Sequence, residues 1–308
     1  MSARGVTVSV VVPAWNAGQT IGTTVSALLM QTAAPDEIII VDDGSTDETI
    51  EALAGFGDAI KVIRRPNGGP SAARNTGVRE ATSDLIAFTD SDCVPERNWL
   101  AGLLAGFDTS DSAQPKGVGG VGGLVRGVGG SLTGEYVDVV RLLDPEPDTR
   151  GEIPYLITAN ACFRRSALLE VGLFDEGFRR PGGEEAELGY RLRQAGYRFR
   201  LAPSALVHHH HRQSIGGLIR TLMNYGAGAA RIASLWPTHR IEHPLRRMLR
   251  HLASPRALIR RWRQRTVDYG WRRGLYFALL DHLRHPVFLL GYRLGTRKSA
   301  NQRHHSLP

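Results

Sequence analysis

The chain has 308 residues, 42% hydrophobic and 22% charged, which is enough for a large folded domain and too apolar for a disordered protein. Its two cysteines, Cys93 and Cys162, form no CxxC pair, which excludes a disulfide scaffold and a structural zinc site and suits a reducing compartment. The net charge is +8, yet residues 211–308 hold 19 basic and three acidic side chains, so residues 1–210 are net acidic. This asymmetry predicts an anionic partner for the basic C-terminal region.

Strand and helix patterns alternate through the first third of the chain. The apolar run at 6–12 leads into Pro13 and predicts a first β-strand, with no export signal. Further strands are predicted at 36–45, 59–65 and 84–92, and helices at 20–32, 47–56 and 71–82. Alternation of this kind is typical of a doubly wound α/β fold with a largely parallel sheet.

Three of these predicted strands end in polar residues. Asn16 follows the first strand, Asp42 and Asp43 end the second, and Asp90 and Asp92 end the fourth. Open α/β sheets bind ligands at this edge. The first Asp pair fits either a helix cap or an acceptor for nucleobase and ribose hydrogen bonds. The second fits either a turn or a metal site that holds a phosphate; its surroundings lack the glycine and glutamate of an EF-hand.

The remaining segments change character. The glycine-rich stretch at 116–134 lacks the GK[ST] ending of a P-loop, so it predicts a strand with close backbone approach, followed by a mobile loop. Residues 152–176 predict a strand, a helix and a turn. Arginine-rich helices are predicted at 215–236, 244–253 and 257–286, and their aromatic residues are typical of helices in a membrane interface. Charged residues interrupt their apolar runs, which disfavours a membrane-spanning helix.

Six ordered segments between residues 6 and 214 resemble the family 2 glycosyltransferases with the GT-A fold. The segments are VSVVVPAWN, IIIVDDGSTDET, NGGPSAARNTGV, IAFTDSDCVPERNWL, TANACFRRSALLEVGLFDE and GGEEAELGYRLRQAGYRF. The resemblance implies a Rossmann-like, mixed and mostly parallel sheet flanked by helices. It places the GT-A domain at 1–213, with nucleotide-sugar binding at 1–115 and the acceptor and base part at 116–213. A basic helical region then occupies 214–308.

The resemblance also implies which residues bind the donor. The base and ribose would lie against Pro13, Asn16, Asp42 and Asp43, with Gly69 and Arg74 beside them. Asn16 stands where the family often has an acidic residue, and Arg74 taken alone also fits a solvated helix residue. Asp90 would face the ribose, whereas Asp92 would ligate Mg²⁺ or Mn²⁺.

Further residues are implied on the acceptor side and around the cation. Within the four histidines at 208–211, His209 is the implied second metal ligand. Glu185 is the implied general base, with Glu184 as second choice, although acidic residues in a first helical turn also stabilise a helix without chemistry. Asn160 would contact the sugar or acceptor. Cys93 is expected to serve packing.

The function implied is an inverting, metal-assisted hexosyl- or glycosyltransferase. The donor would be a nucleotide-sugar, with a UDP-sugar favoured over GDP- and dTDP-sugars, and the acceptor a glycan or lipid-linked sugar of the cell envelope. The protein would be cytoplasmic and peripheral on the inner face of the plasma membrane, bound to its anionic surface through the C-terminal region and not to nucleic acid. The alternatives are a sugar nucleotidyltransferase, although no basic residue follows the first strand, and a non-catalytic membrane-associated sugar-nucleotide binding protein.

Overall fold

The computed structural model describes residues 5–107, 116–144, 147, 151–210, 214–237 and 255–304, with side chains from 259 to 297 in the last range. The chain divides into two compact units. Unit 1 comprises 1–128, 141–179 and 184–210, and unit 2 comprises 129–140, 180–183 and 211–308. This division differs from the predicted single boundary at residue 213, because two internal segments group with the C-terminal helices. The helix predicted at 244–253 lies outside the described residues.

The first half of unit 1 alternates strand and helix, as the sequence predicts. Its elements are β1 (Val8–Ala14), α1 (Ile21–Leu29), β2 (Glu37–Asp42), α2 (Thr49–Ala54), β3 (Lys61–Arg64), α3 (Pro70–Glu80) and β4 (Leu85–Phe88). β1 lies between β2 and β4, β3 pairs with β2, and all these pairs are parallel. On β1, Val10 and Val12 join one apolar layer and Val11 joins the other. Successive strand residues point to opposite faces, so an unbroken valine run marks a strand covered on both sides.

The second half completes an eight-stranded mixed sheet. In chain order the elements are β5 (Cys93–Pro95), α4 (Trp99–Ala105), β6 (Val118–Gly127), α5 (Leu132–Val139), β7 (Ala161–Arg164), α6 (Arg165–Glu170), α7 (Glu184–Gln194) and β8 (Arg198–His209). Among these, α5 belongs to unit 2. The strand order is β3-β2-β1-β4-β7-β6-β8-β5. β7 runs antiparallel to β4 and β6, and β5 runs antiparallel to β8.

Glycines allow β6 to pack closely against its neighbours. A Cβ on Gly123 would lie 2.0 Å from the Ala205 carbonyl oxygen and 2.4 Å from Asn160 Nδ2, distances that no side chain tolerates. A Cβ on Gly120 would meet the Phe163 ring at 2.8 Å. These contacts confirm the predicted strand with close backbone approach. A short loop at 128–131 follows β6, as predicted, and leads into α5.

Unit 2 is helical. Besides α5 it contains α8 (Ile215–Leu235), α9 (Pro255–Tyr269) and α10 (Trp271–His304), and Gly270, at φ 79°, separates the last two. A Cβ on Gly226 would lie 2.0 Å from the Phe288 carbonyl oxygen, so α8 and α10 touch through their backbones. Across the part of the chain that the structure describes, no helix has the length and apolar character needed to cross a membrane.

A buried polar cluster joins three helices of unit 2. The Tyr136 hydroxyl of α5 donates to Asp281 Oδ1 at 2.9 Å, and Arg265 Nε of α9 donates to Asp281 Oδ2 at 3.0 Å. Burial and the neighbouring Asp281 raise the pKa of Tyr136, so the phenol stays a neutral donor. This cluster, with the packing of Tyr136 on Phe277, explains why α5 groups with the C-terminal helices.

Candidate active site

The predicted polar residues meet at one edge of the sheet of unit 1. Asp42, the last residue of β2, is in register with Ala14 at the end of β1 and with Arg64 at the end of β3. β4 runs parallel to β1, so Asp90 follows at the same edge. The prediction that these strand ends come together is therefore confirmed by the topology.

Protein groups hold both carboxylates of the first Asp pair. Asp42 is fully buried, accepts the backbone N–H of Ser45 at 3.0 Å and pairs with Arg64 at 3.3 Å. Asp43 accepts from Arg65 Nη1 at 2.7 Å and from the backbone N–H of Gly69 at 2.7 Å. These contacts fix the loop before α3. A direct contact of either carboxylate with a nucleotide stays a prediction.

Asn16 and Gly69 have backbone conformations that explain their residue types. Asn16 has φ 50°, in the left-handed region that Asn tolerates better than most residues, and its Oδ1 accepts the backbone N–H of Thr46 at 2.9 Å. Gly69 has φ 91°, and a Cβ there would lie 2.5 Å from the Arg179 carbonyl oxygen. Both residues therefore shape the loops at this edge. Pro13 is half-buried within β1.

Arg74 is a buried cation that connects two parts of the site. Its Nη2 donates to Asp90 Oδ1 at 3.0 Å and its Nη1 to Glu184 Oε1 at 3.2 Å. Burial lowers the pKa of Arg74, but the charges of Asp90, Glu184 and Glu185 outweigh that effect and raise it. The sequence left open a solvated side chain at this position. The structure instead shows a fixed charge between the end of β4 and the start of α7.

Asp92 and His209 are brought together by the pairing of β5 with β8. Cys93 is in register with His209, and His209 Nε2 lies 3.4 Å from Asp92 Oδ1. Side-chain ligand atoms of Asp90, Asp92, Cys93 and His209 all lie within 4.8 Å of one another. Two carboxylates and an imidazole are a donor set that fits Mn²⁺, and the carboxylates alone fit Mg²⁺. The residues predicted for the cation therefore form a cluster that suits it.

Cys93, within this cluster, and the histidines on either side of His209 are less suited to holding a cation. Cys93 is fully buried, and burial together with Asp90 and Asp92 raises the pKa of its thiol well above the ordinary value. It therefore stays protonated, which agrees with the packing role expected of it. His208 Nε2 lies 3.0 Å from Glu96 Oε1, and the backbone N–H of His210 donates to the Asp92 carbonyl oxygen. His209 is thus the histidine at the Asp pair.

Glu185, the predicted general base, is a carboxylate held at the start of α7. Its Oε1 accepts the backbone N–H of Thr158 at 3.1 Å and the Thr158 hydroxyl at 2.8 Å. Burial and the charge of Glu184 raise the pKa of Glu185 to about 7, against the opposing effects of Arg74 and Thr158. A carboxylate with this pKa can take up a proton near neutral pH. Glu184 is buried and held by Arg74, so the two acids have different surroundings.

Asn160 is buried among protein partners. Its Oδ1 accepts from Trp99 Nε1 at 2.8 Å, and its Nδ2 donates to the carbonyl oxygens of Leu124 and Ala205 at 2.7 and 2.9 Å. These bonds use both donor hydrogens of the amide. The side chain therefore holds α4, β6 and β8 together, and the structure gives it no free donor for the sugar or acceptor contact that the resemblance implies.

Three residues that the sequence did not single out support the site. The Thr158 hydroxyl donates to Glu185. The sequence signal for this residue is its place at the start of the TANACF segment. Asn75 of α3 accepts the backbone N–H of Phe174 at 2.9 Å and donates to its carbonyl oxygen at 2.9 Å. Arg191 pairs with Glu187 one turn earlier on α7 and donates to the Leu173 carbonyl oxygen at 2.7 Å. Together they fix α3, α7 and the turn between α6 and α7.

Comparison with known proteins identifies the family. A family model described as glycosyl transferase family 2 matches residues 9–172, more than half of the chain. The chain belongs to glycosyl transferase family 2. Pre-mycofactocin glycosyltransferase of Mycobacterium tuberculosis is 35% identical over 209 residues, 65% of this chain and 43% of that protein. Glycosyltransferase AglE of Haloferax volcanii is 28% identical over 240 residues, 76% of this chain and 75% of that protein. The match spans less than half the length of the mycobacterial relative.

Solved structures share the fold. The mannosyltransferase PcManGT from Pyrobaculum calidifontis, in complex with GDP-Man and Mn²⁺, has a TM-score of 0.59 at 18% identity, covering 97% of this chain and 76% of that one. Glucosyl-3-phosphoglycerate synthase from Mycobacterium tuberculosis, in complex with phosphoglyceric acid, has a TM-score of 0.52 at 23% identity over 75% of this chain and 80% of that one. The predicted GT-A fold is thereby confirmed.

Proposed function

We propose that the protein is an inverting glycosyltransferase that moves a sugar from a nucleoside-diphosphate donor to a hydroxyl acceptor. One observation carries the proposal: at the carboxyl edge of the sheet, Asp92 lies beside His209 while Arg74 links Asp90 to Glu184, next to the candidate base Glu185. Sugar transfer from such a donor needs stabilisation of a leaving diphosphate and a group that accepts the acceptor's proton. Both kinds of group are present in unit 1.

The loops at the ends of β1, β2 and β4 would receive the donor. We assign the base and ribose to the loops shaped by Pro13, Asn16, Asp42, Asp43 and Gly69, with Asp90 toward the ribose. The hydrogen bonds of Asp43 to the Gly68–Gly69 segment support a preformed loop there. The PcManGT complex contains a nucleotide-sugar, which supports a donor of this class for the shared fold. A UDP-sugar is our first choice, ahead of GDP- and dTDP-sugars.

Asp92 and His209 would hold the divalent cation. A bound Mg²⁺ or Mn²⁺ supplies charge neutralisation for the departing nucleoside diphosphate. Asp90 is tied to Arg74, and we assign it to the ribose and not to the cation. Arg74 in turn keeps a positive charge among the acids of this site, between Asp90 and Glu184.

Glu185 would act as the general base. It removes the proton of the acceptor hydroxyl while the hydroxyl oxygen attacks the anomeric carbon and the bond from that carbon to the diphosphate breaks. In-line attack inverts the configuration at this carbon. The pKa of Glu185, raised to about 7 by burial and Glu184, matches proton transfer near neutral pH. The ion pair of Glu184 with Arg74 favours Glu185 over Glu184 for this role.

We further propose a glycan or lipid-linked acceptor in cell-envelope synthesis, reached at the cytoplasmic face of the plasma membrane. Support comes from the charge asymmetry, because residues 211–308 carry 19 basic side chains against three acidic ones. Such a basic region suits the anionic inner leaflet.

Metal-dependent donor hydrolysis tests the proposal without knowledge of the acceptor. The purified chain is incubated with UDP-, GDP- and dTDP-sugars with and without Mn²⁺, and the products are separated. We expect one donor to release free sugar and nucleoside diphosphate, with an inverted anomeric signal by NMR. In a parallel incubation with a nucleoside triphosphate and a sugar phosphate, release of pyrophosphate would instead identify a nucleotidyltransferase. Donor binding without turnover would identify a non-catalytic protein.

Two substitutions separate the assigned roles. Glu185→Gln should abolish turnover and keep donor binding, whereas Asp92→Asn should weaken Mn²⁺-dependent donor binding by at least about ten-fold in calorimetry. Glu51→Gln, on the exposed surface of α2, is the matched control. Full turnover in Glu185→Gln would exclude the assigned base, and unchanged Mn²⁺-dependent binding in Asp92→Asn would exclude the assigned ligand.

A further inference from the structure

An apolar stripe runs along the exposed side of α10. The stripe consists of Trp271, Leu275, Leu279, Pro286, Leu290 and Leu294. Their spacing of four or seven residues places them within an arc of about 140° and over a length of about 35 Å. Trp271 is 62% exposed, and the four leucines are between 41% and 53% exposed. Exposed apolar residues in one continuous row mark an interaction surface, whereas scattered ones do not.

The opposite side of α10 is already used within unit 2. Phe277, Ala278 and Leu280 are buried there, and Asp281 is bound by Tyr136 and Arg265. Gly291 lies against the backbone of Met223 on α8. The helix is therefore fixed in rotation by its buried side, and the stripe must face away from that contact.

Positive charge flanks the stripe at both ends. Arg272 and Arg273 are exposed near its start, and Arg293 and Arg297 near its end. The Arg272 guanidinium lies 5.2 Å from the Trp271 ring centroid, and Arg273 pairs with Glu135. The sole acid within α10 is Asp281, which is buried and paired. The exposed charge on this helix is thus positive.

We propose that this stripe docks on an anionic lipid bilayer, with α10 lying in the plane of the interface. Trp and Leu would enter the boundary between headgroups and acyl chains, and Arg272, Arg293 and Arg297 would contact lipid phosphates. Two features favour a bilayer over a second copy of the chain. A bilayer is flat over the whole length of the stripe, and a second copy would bring the same arginines against each other. The proposal rests on the membrane contact proposed above for residues 211–308 and gives it a surface on α10; it does not depend on the chemistry assigned to unit 1, which donor hydrolysis tests separately.

Vesicle flotation of the full chain tests the proposal. The vesicles are phosphatidylcholine alone or phosphatidylcholine with phosphatidylglycerol. We expect the wild-type protein to float with the anionic vesicles, to lose this binding at high salt, and to stay unbound with phosphatidylcholine. The variant Leu275→Gln/Leu279→Gln/Leu290→Gln should lower the bound fraction at least about ten-fold, because it removes apolar area that only the interface buries.

Further variants distinguish the outcomes. Arg272→Gln/Arg293→Gln/Arg297→Gln should lose the preference for anionic vesicles, and Leu169→Gln, at a 43% exposed leucine of α6, should float like the wild type. Circular dichroism verifies that each variant is folded. Equal flotation of the triple leucine variant and the wild type would overturn the proposal, as would a wild type that does not float. A wild-type dimer that the leucine substitutions convert to a monomer, without flotation, would assign the stripe to a second copy instead.

Discussion

Replacing Thr158 with valine should move the pH dependence of the reaction. The substitution keeps the shape of the side chain and removes the hydroxyl that donates to Glu185 Oε1 at 2.8 Å, while the backbone N–H at 3.1 Å remains. Both hydrogen bonds stabilise the carboxylate and lower the pKa of Glu185, against the burial and the Glu184 charge that raise it to about 7. Without the hydroxyl, Glu185 holds its proton to higher pH.

The size of the shift follows from the strength of the lost bond. A hydrogen bond to a charged group contributes about 1.5–3 kcal/mol, and about 1.4 kcal/mol corresponds to a factor of ten in proton affinity. Taking the lower end, because the backbone bond can shorten, the midpoint of the pH profile should rise by about one pH unit. At pH 7 the fraction of ionised base, and with it kcat/KM, then falls about five-fold, and the loss disappears about two pH units higher.

The assay is donor turnover measured from about pH 5 to pH 10 at constant ionic strength, with water in place of the acceptor. Thr158→Ser retains the hydroxyl and should keep the wild-type midpoint. A uniform loss of rate in Thr158→Val, with an unchanged midpoint, would refute the reasoning and leave Thr158 a packing role. An unchanged profile in every respect would show that Glu185 is not the group that titrates.

Three further results are expected. The folded-state pKa of Glu185 lies above its ordinary 4.5, so the stability that its protonated form contributes is full below pH 4.5 and is lost as the pH rises through 7. The free energy of unfolding of Glu185→Gln, measured in urea, should therefore rise relative to that of the wild type by on the order of 1–3 kcal/mol between pH 5 and 8. A difference that stays constant with pH would contradict this. Gly123→Ala should lower the free energy of unfolding by about 2 kcal/mol or more, since its Cβ would lie 2.0 Å from the Ala205 carbonyl oxygen; wild-type stability would show that β6 can shift. Gly291→Ala should lower the melting temperature, because its Cβ would lie 2.2 Å from the Met223 carbonyl oxygen. Gly216→Ala is the control and should leave the melting temperature unchanged, because no atom lies within 4 Å of its Cβ position.

The parallel half of the sheet was predictable because each of its elements is encoded locally. Valine and isoleucine runs mark β1 and β2, and the intervening helices have their own apolar periodicity. By contrast, β5 has only three residues, too few for a periodic pattern, and exists through its pairing with β8. The membership of α5 in unit 2 was equally hidden, because it depends on contacts of Tyr136 with Phe277 and Asp281 far along the chain.

The sequence predicted which residues belong to the candidate site. It did not predict most of the contacts that these residues make. Strand ends located the Asp pairs, and the resemblance to a family supplied Glu185 and His209. The partners of Asp43, the ion pairs of Arg74 and the hydrogen bonds of Thr158 all join residues from different elements. Such contacts arise from tertiary packing, so the sequence gives no local sign of them. For Asn160 the resemblance implied a contact with sugar or acceptor, whereas its side chain accepts a hydrogen bond from buried Trp99.

The pairing of β5 with β8 also has a consequence for the order of assembly. Asp92 belongs to the middle of unit 1 and His209 to its last strand, so the two come together only after the chain has been synthesised to the end of β8. A cation held by both side chains would bind the folded unit and not the unfolded chain, and it would therefore stabilise the folded state by mass action. Cation affinity at this site would report on whether the final strand has joined the sheet.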